Sequence, residues 1–277
     1  ALCNRGLTLN ETIAAIRLPE YFKQHYTTQQ SYGVVEHHVR QIYTGLFGWF
    51  DEDEANLFPV PAPERSQKLV AGFGGVDKVR TAIDEALQSH DYRWAIELAS
   101  WLVRATLNDE GRADAGAAED RSRLAQGLRG IAYTTTAANI RNWCLTRALE
   151  LDGSSNLDRF RGHRFQKREL ARRPAAESLA LLRVLLVPER ASDEEQHIKV
   201  VFADGGQAGL VTRNAVAVPT DGESAALSMT VSSDHWFSIL GGKLNLSQAI
   251  ADGSVRTANP EQIAAFFGCF DLDTLTN

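Results

Sequence analysis

Cysteine and long apolar runs are both scarce in this sequence. Its 277 residues include three cysteines, Cys3, Cys144 and Cys269, which lie far apart and are odd in number. Such spacing predicts neither a disulfide framework nor a cysteine-rich zinc motif, so we interpret them as small hydrophobic side chains. No stretch approaches the roughly 18 apolar residues of a spanning helix, and the N-terminus lacks the layout of a signal peptide. The sequence therefore predicts no transmembrane segment and leaves the compartment unassigned, whether cytoplasmic, periplasmic or secreted.

An excess of positive charge is also missing. The chain has 29 Lys and Arg against 35 Asp and Glu, a formal charge of −6 and a pI near 5.7. Proteins that bind nucleic acid usually carry a basic excess, so we expect no nucleic-acid partner. Hydrophobic residues make up 44% of the chain, which is enough for real cores, and the length favours two domains. One basic run, at 153–174, is interpreted as a linker rather than as a binding segment.

The histidines do not form a cluster with metal-ligand spacing. His37 and His38 are adjacent, so their side chains diverge on a helix. The other histidines are isolated: His25, His90, His163, His197 and His235. Because a metal site needs several ligands that converge on one point, we expect no metal site, no cofactor and no catalytic residue within this chain.

Residues 32–51 show the clearest helix pattern. Apolar residues recur there at three- and four-residue steps: Val35, Val39, Ile42 and Leu46, with Tyr43 on the flank. This spacing predicts one buried stripe on an α-helix. Gly48 follows, and the aromatic residues after it are expected to close the helix end.

A bulky polar row is predicted on the same helix. His37, Arg40 and Tyr43 are spaced at i, i+3 and i+6, which predicts that they share one side. Two interpretations stay open. The row is either a solvated helix face or the border of a site on another domain.

Two helical hairpins are predicted next, at 76–90 with 92–107 and at 113–133 with 137–151. Their alanine-rich packing positions resemble tetratricopeptide-type hairpins, without a clean repeat. Three tryptophans in them are candidate anchors: Trp94, Trp101 and Trp143. These residues either lie in a dimer interface or belong to the helical core.

The pattern changes at residue 175. Strands are predicted at 198–202, 209–213 and 225–231, separated by glycine-containing turns and followed by helices. Seven large apolar side chains are candidate pocket residues: Phe202, Met229, Trp236, Phe237, Phe266, Phe267 and Phe270. They either line a pocket for an alkyl chain or fill a core. The predicted fold class is therefore α followed by α+β, with a helical domain at 1–152, the linker at 153–174 and an α+β domain at 175–277.

Several spaced motifs follow one another along the chain. In the first half they are Tyr32-Gly33, His37, Val39-Arg40, Ile42-Tyr43, Gly48-Trp49-Phe50-Asp51, Asn56-Leu57, the prolines Pro59, Pro61 and Pro63, Phe73-Gly74-Gly75-Val76-Asp77, Asp91-Tyr92-Arg93-Trp94-Ala95 and Arg141-Asn142-Trp143. In this order they resemble the dimerisation domain of the alkyl sulfatases of the metallo-β-lactamase superfamily. In the second half, the stretches 227–231, 234–242 and 249–256 are similar to the C-terminal domain of that family. That domain looks like the sterol carrier protein fold, which encloses an apolar tunnel.

The resemblance implies an activity that this chain does not hold by itself. The family hydrolyses alkyl sulfate esters at a binuclear zinc site on a metallo-β-lactamase-type catalytic domain, whose ligand motif is not in these 277 residues. The resemblance also implies a homodimer and an alkyl or lipid ligand in the C-terminal domain. In that setting His37, Arg40 and Tyr43 would face the catalytic domain, in cis or in trans, and Arg40 or Tyr43 would hydrogen-bond a sulfate oxygen.

The start of the sequence adds one expectation. Residues 1–6 resemble the last turn of a helix that closes at a glycine, and no initiator Met precedes them. We therefore expect a non-catalytic C-terminal piece of a longer alkyl sulfatase-like hydrolase. Two alternatives stay open: a free-standing lipid-binding or scaffold protein, and a subunit that docks a separate catalytic chain on 32–51.

Overall fold

Two units make up the chain, residues 1–156 (unit 1) and 157–277 (unit 2). The structure is a computed structural model that describes residues 1–107, 116–157, 167–191 and 193–272. The predicted domain limits at 152 and 174 stay predictions. Residues 158–166 of the predicted basic linker lie outside the described residues.

Helices make up most of unit 1. They are α1 (Leu9–Ala15), α2 (Glu20–Gln24), α3 (Val35–Phe47), α4 (Ala62–Phe73), α5 (Val76–Gln88), α6 (Tyr92–Arg104), α7 (Ala118–Thr134) and α8 (Ala138–Leu151), with 3-10 turns at Cys3–Arg5, Tyr26–Thr28 and Glu54–Asn56. Local sequence sets their ends. The Thr8 hydroxyl and the Glu11 carboxylate form a capping box at the start of α1. Gly74 and Gly75, both at positive φ, separate α4 from α5, and the Asp91 carboxylate caps α6.

The two predicted hairpins pack together through small residues. Ala95, Ala99, Ala125 and Ala148 have no exposed surface, so the backbones of α6, α7 and α8 approach closely. Gly130 of α7 is required at this contact, because a Cβ atom there would overlap the ring of Tyr92 on α6. Close helix packing therefore forms the centre of unit 1.

Charged side chains also join α5 to α7. Arg80 donates two hydrogen bonds to the buried Asp120 carboxylate, both at 2.8 Å. One turn further along, Arg123 donates to Asp84 at 2.9 and 3.2 Å. These paired contacts help to set the register of the two helices, since a guanidinium group that donates two hydrogen bonds to one carboxylate constrains its position.

The segment before α3 is tied to α8. The Ser31 and Tyr32 carbonyls accept hydrogen bonds from the Ala138 and Asn139 N–H groups at 2.8 and 3.2 Å. These N–H groups lie in the first turn of α8 and have no partner inside the helix. A second tie is the ion pair between Arg93 of α6 and Glu36 of α3, at 2.8 Å. The central helix predicted at 32–51 is therefore anchored at its N-terminal end.

Unit 2 confirms the predicted change to α+β. Its helices are α9 (Lys167–Leu170), α10 (Ala175–Ser178), α11 (Ser233–Leu240), α12 (Leu246–Ala251) and α13 (Pro260–Gly268), with 3-10 segments at Leu179–Leu185 and Pro188–Arg190. Its strands are β1 (Gln196–Phe202), β2 (Gln207–Arg213), β3 (Val216–Thr220), β4 (Leu227–Val231) and β5 (Val255–Arg256). The sheet order is β3-β2-β1-β4-β5, and β1 pairs with β4 in parallel while the other neighbours are antiparallel.

One face of this sheet forms the core of unit 2. Side chains alternate along β1, where Ile198, Val200 and Phe202 are buried and pack with Leu210 and Met229. Helices α11 and α13 contribute their apolar sides to the same core. The strand predicted at 225–231 begins two residues later than expected, because the chain is still turning at Ala225, whose N–H donates to the Gly222 carbonyl.

Candidate functional sites

The three residues of the polar row on α3 differ in solvent exposure. Tyr43 is only 5% exposed, whereas His37 and Arg40 are exposed. Burial raises the pKa of the Tyr43 phenol, and Glu52, Cys3 and Asp51 nearby raise it further. The Tyr43 phenol therefore stays neutral within unit 1. His37 and Arg40 are the members of the row that reach the surface.

The apolar stripe predicted on α3 is only partly buried. Val35 and Val39 are half-buried, while Ile42 and Leu46 are exposed. The exposed stripe continues beyond the helix into Trp49, and the ring of Phe58 is 88% exposed. Helix α3 thus presents an apolar surface that the described part of unit 1 does not cover.

The three candidate tryptophans differ in their surroundings. Trp94 and Trp101 form an edge-to-face pair with centroids 6.0 Å apart, and Phe73 packs edge-on against Trp101. Trp101 is half-buried, but Trp94 keeps 41% of its surface exposed. Trp143 on α8 is 64% exposed. Sequence pattern alone does not distinguish interface from core for these residues, and their roles stay predictions.

The seven candidate pocket residues are brought together in unit 2, and all are buried: Phe202, Met229, Trp236, Phe237, Phe266, Phe267 and Phe270. Most contact one another edge-on or at a tilt, and the indole N–H of Trp236 donates to the Ser178 hydroxyl at 2.8 Å. Two of them, Phe267 and Phe270, also line a cavity of about 200 Å³. The other five belong to the packed core and do not line this cavity.

The cavity has a polar rim that the sequence pattern did not identify. Arg190, Asn245 and Ser247 line it together with apolar residues such as Leu246 and Phe267. Arg190 ends a short 3-10 turn, and its carbonyl accepts a hydrogen bond from the Cys269 thiol. A single arginine outside any motif gives no signal in the sequence, since only the fold places it beside Phe267 and Phe270, 77 and 80 positions away.

The residues described here do not fit a zinc site. Within residues 1–107, 116–157, 167–191 and 193–272, no group of three or more His, Cys, Asp or Glu side chains could hold a metal ion. Among the helices in the described ranges, none combines the length and the apolar character of a membrane span.

Comparison with known proteins gives the same family as the motifs. The model of the alkyl sulfatase dimerisation family matches residues 8–154. A linear primary-alkylsulfatase from a Pseudomonas species is 31% identical over 283 residues, covering 98% of this chain and 52% of the relative. An (R)-specific secondary-alkylsulfatase, also from Pseudomonas, is 30% identical over 277 residues, covering 98% of this chain and 40% of the relative.

Comparison with a solved structure supports the fold of the described residues. The stereoselective inverting sec-alkylsulfatase Pisa1 from Pseudomonas has a TM-score of 0.81 and 28% identity, covering 98% of this chain and 42% of that protein. The chain thus spans about half the length of the relatives it matches. Since the family match covers more than half of the chain, and the motifs in 32–51 and 73–95 lie inside it, the protein belongs to the alkyl sulfatase dimerisation family.

Proposed function

We propose that this chain is the dimerisation and apolar-substrate-binding portion of a zinc-dependent alkyl sulfatase-like hydrolase. The intact protein would hydrolyse sulfuric esters of alkyl chains. Three findings support this proposal: the family match, the names of the relatives, and the fact that the chain spans about half of their length. The zinc ligands and the catalytic residues are proposed to lie on a metallo-β-lactamase-fold domain outside these residues, so the chain alone is expected to be inactive.

The exposed apolar surface of unit 1 carries the dimerisation part of the proposal. In the described residues, all but three of the large apolar side chains that are exposed belong to unit 1. They include Ile42, Leu46, Trp49 and Trp143, and a soluble monomer rarely exposes so much apolar surface. A second copy would bury it in a two-fold contact, in which each patch meets the same patch or its complement on the partner. Exposed tryptophans suit the anchor positions of such an interface.

The exposed members of the α3 row suit a contact with the catalytic portion. Arg40 presents a guanidinium, which binds sulfate oxygens through paired hydrogen bonds, and His37 lies one turn before it. Tyr43 is buried, so it would hold α3 in place within unit 1 rather than touch the substrate. The catalytic portion is proposed to meet this surface either in cis or in trans.

The cavity of unit 2 supports the apolar-substrate part. It is lined by apolar side chains, including Phe267 and Phe270, and it has Arg190 at its rim. An alkyl chain would occupy the apolar interior, while its charged head would remain at the rim. The proposed relation to the sterol carrier protein fold rests on the same arrangement of a small sheet and helices around an apolar space.

Native mass spectrometry of the purified chain, together with an assay of alkyl sulfate hydrolysis, tests the proposal. We expect a homodimer without zinc in the mass spectrum, and no hydrolysis in the assay. Trp49→Ser and Trp143→Ser should each shift the equilibrium toward monomer, because each removes a large exposed ring. Val184→Ser is the control, since Val184 is at least as exposed as either tryptophan but lies in unit 2.

Three results would contradict the proposal. A monomeric wild-type chain, or a dimer that responds only to Val184→Ser, would remove the dimerisation role. One or two zinc ions bound tightly by this chain alone would contradict the placement of the metal on another domain. Turnover of an alkyl sulfate by the chain alone would contradict its non-catalytic role.

A further inference from the structure

The outer face of the unit 2 sheet holds a second, larger concavity. Its volume is about 580 Å³, which lies within the range of small-molecule sites of roughly 300–1,000 Å³. The pairing register places His197 beside Val211, and Val211 beside Val218, in one row across β1, β2 and β3. The next row toward the hairpin end holds Glu195, Arg213 and Val216. None of the residues that line this cleft lines the cavity with Arg190.

The floor of the cleft is apolar in a unit that buries nearly all its other apolar side chains. Val211, Val216 and Val218 line it, and the last two are about half exposed. Among the described residues of unit 2, the only other exposed large apolar side chain is Val184. Exposed valines are therefore concentrated at this one place, which indicates a surface with a partner.

One end of the cleft is a wall formed by His197, Thr220 and Ser224, whose side chains are joined by hydrogen bonds. The imidazole of His197 lies 2.8 Å from the Thr220 hydroxyl through Nε2 and 3.4 Å from the Ser224 hydroxyl through Nδ1. The Thr220 hydroxyl also accepts the Gly222 N–H at 3.1 Å. The turn after β3 passes so close to β2 that a Cβ atom on Gly209 would overlap Gly222. This end is therefore preformed and offers an imidazole and two hydroxyl groups.

The other end carries the guanidinium group of Arg213, most of whose hydrogen-bond donors are not used by the described residues. Arg213 makes one long hydrogen bond, 3.5 Å from its Nη1 to Glu195, and both side chains are more than half exposed. Its remaining N–H groups have no partner in the described part of the chain. Asn214 lies beside it at positive φ in the β2–β3 turn and also lines the cleft. A weak exposed ion pair is easily exchanged for a paired contact with an oxyanion.

We propose that this cleft binds a medium-chain amphiphile with one anionic head group. The head pairs with Arg213 and Asn214, and the chain lies on the three valines toward the wall formed by His197. Thr220, which lines the cleft beside His197, pairs with Gly209, four residues before Arg213 along β2. This separation is roughly 13 Å, which suits a chain of medium length. Alkyl sulfates and fatty carboxylates share this chemistry. The proposal does not depend on the role of the interior cavity.

Isothermal titration of the full chain with octyl sulfate and with octanoate, both below their micelle concentrations, tests the site. We expect Arg213→Met to remove one bound molecule per chain, or to weaken its binding about tenfold or more, because a charged hydrogen-bond pair is lost. Val218→Thr keeps the shape and the strand preference but replaces one methyl group, so it should weaken binding about fourfold. Both positions are exposed, and unchanged thermal unfolding would show that both variants are folded.

Arg190→Met separates this cleft from the interior cavity. We expect the loss caused by Arg213→Met to be the same in the wild-type and Arg190→Met backgrounds. Binding of octyl sulfate alone, or of octanoate alone, supports the site and identifies the head group. The proposal is overturned if neither anion binds, if Arg213→Met leaves both affinity and stoichiometry unchanged, or if octyltrimethylammonium binds more tightly than both anions, since Glu195 and Asp221 would then dominate.

Discussion

The two units differ in how far they bury their largest side chains. Unit 2 buries Trp236 completely, among Phe202 and Phe267, whereas unit 1 leaves Trp143 and Trp49 largely in solvent. Unit 1 instead fills its centre with alanine and glycine, as at Ala99. Small residues let helices approach closely and leave large side chains free to point outward. Unit 2 therefore closes over its own core, while unit 1 leaves apolar surface exposed, in line with the proposed dimerisation role.

The strongest way to test this contrast is to truncate one tryptophan in each unit. Trp236→Ala removes a fully buried ring and the hydrogen bond to Ser178. We expect it to lower the free energy of unfolding of unit 2 by about 3–5 kcal/mol. Trp143→Ala should cost unit 1 less than about 1 kcal/mol in folding, since the ring is mostly exposed, and should act on dimer formation instead.

Urea unfolding followed by circular dichroism, at a protein concentration where each variant has the same assembly state, measures the two effects. An equal loss for the two variants would mean that Trp143 belongs to a core, and the contrast between the units would disappear.

The second test concerns how each unit is joined internally. Asp120 is buried and accepts two hydrogen bonds from Arg80, so Asp120→Asn weakens a charged contact that is shielded from water. We expect a loss of about 1.5–3 kcal/mol in the unfolding of unit 1, without change in unit 2. Asp84→Asn is the matched control, because Asp84 also pairs with an arginine but is about half exposed. Its cost should stay below about 1 kcal/mol.

Thermal unfolding of the two variants side by side ranks them. A loss for Asp84→Asn as large as that for Asp120→Asn would show that burial of the carboxylate does not set the cost. A shift in the unfolding of unit 2 by either variant would show that the two units do not unfold independently.

Much of the fold could be predicted from the sequence, because its signals are local. Apolar spacing predicted the helix pairs, and glycine turns such as Asp204-Gly205-Gly206 predicted the breaks between strands. The side of α3 that is buried could not be predicted in the same way. Six residues at about 100° each place Tyr43 about 120° away from His37, so a row spaced at i, i+3 and i+6 drifts across the helix surface. Only the packing partner decides which member turns inward.

The candidate sites show the same limit more clearly. The seven aromatic and apolar residues of unit 2 were identified by type, but a buried ring and a pocket ring look alike in a sequence. The cleft on the outer sheet face gave no signal, since His197, Val211 and Val218 lie on three strands and meet only through the pairing register. Long-range register depends on the whole sheet and is not contained in any single stretch.

The smallest effect on stability is expected at the start of α11, where Asp204 in the β1–β2 turn caps the helix. The Asp204 carboxylate accepts hydrogen bonds from the Ser233 hydroxyl at 2.8 Å and the Ser233 N–H at 3.0 Å, at the start of α11. These bonds hold the pKa of Asp204 below its usual value, so their stabilisation is present above that value and is lost as the pH falls through the lowered pKa. Asp204→Asn should therefore lower the Tm by a few degrees at pH 7 and by less near pH 3. Glu261→Gln removes a first-turn charge from α13 without removing a capping bond, so it should show a weaker pH dependence. If the Tm difference between wild type and Asp204→Asn were the same at both pH values, the carboxylate charge would not contribute to the cap, and the turn would hold α11 through geometry alone.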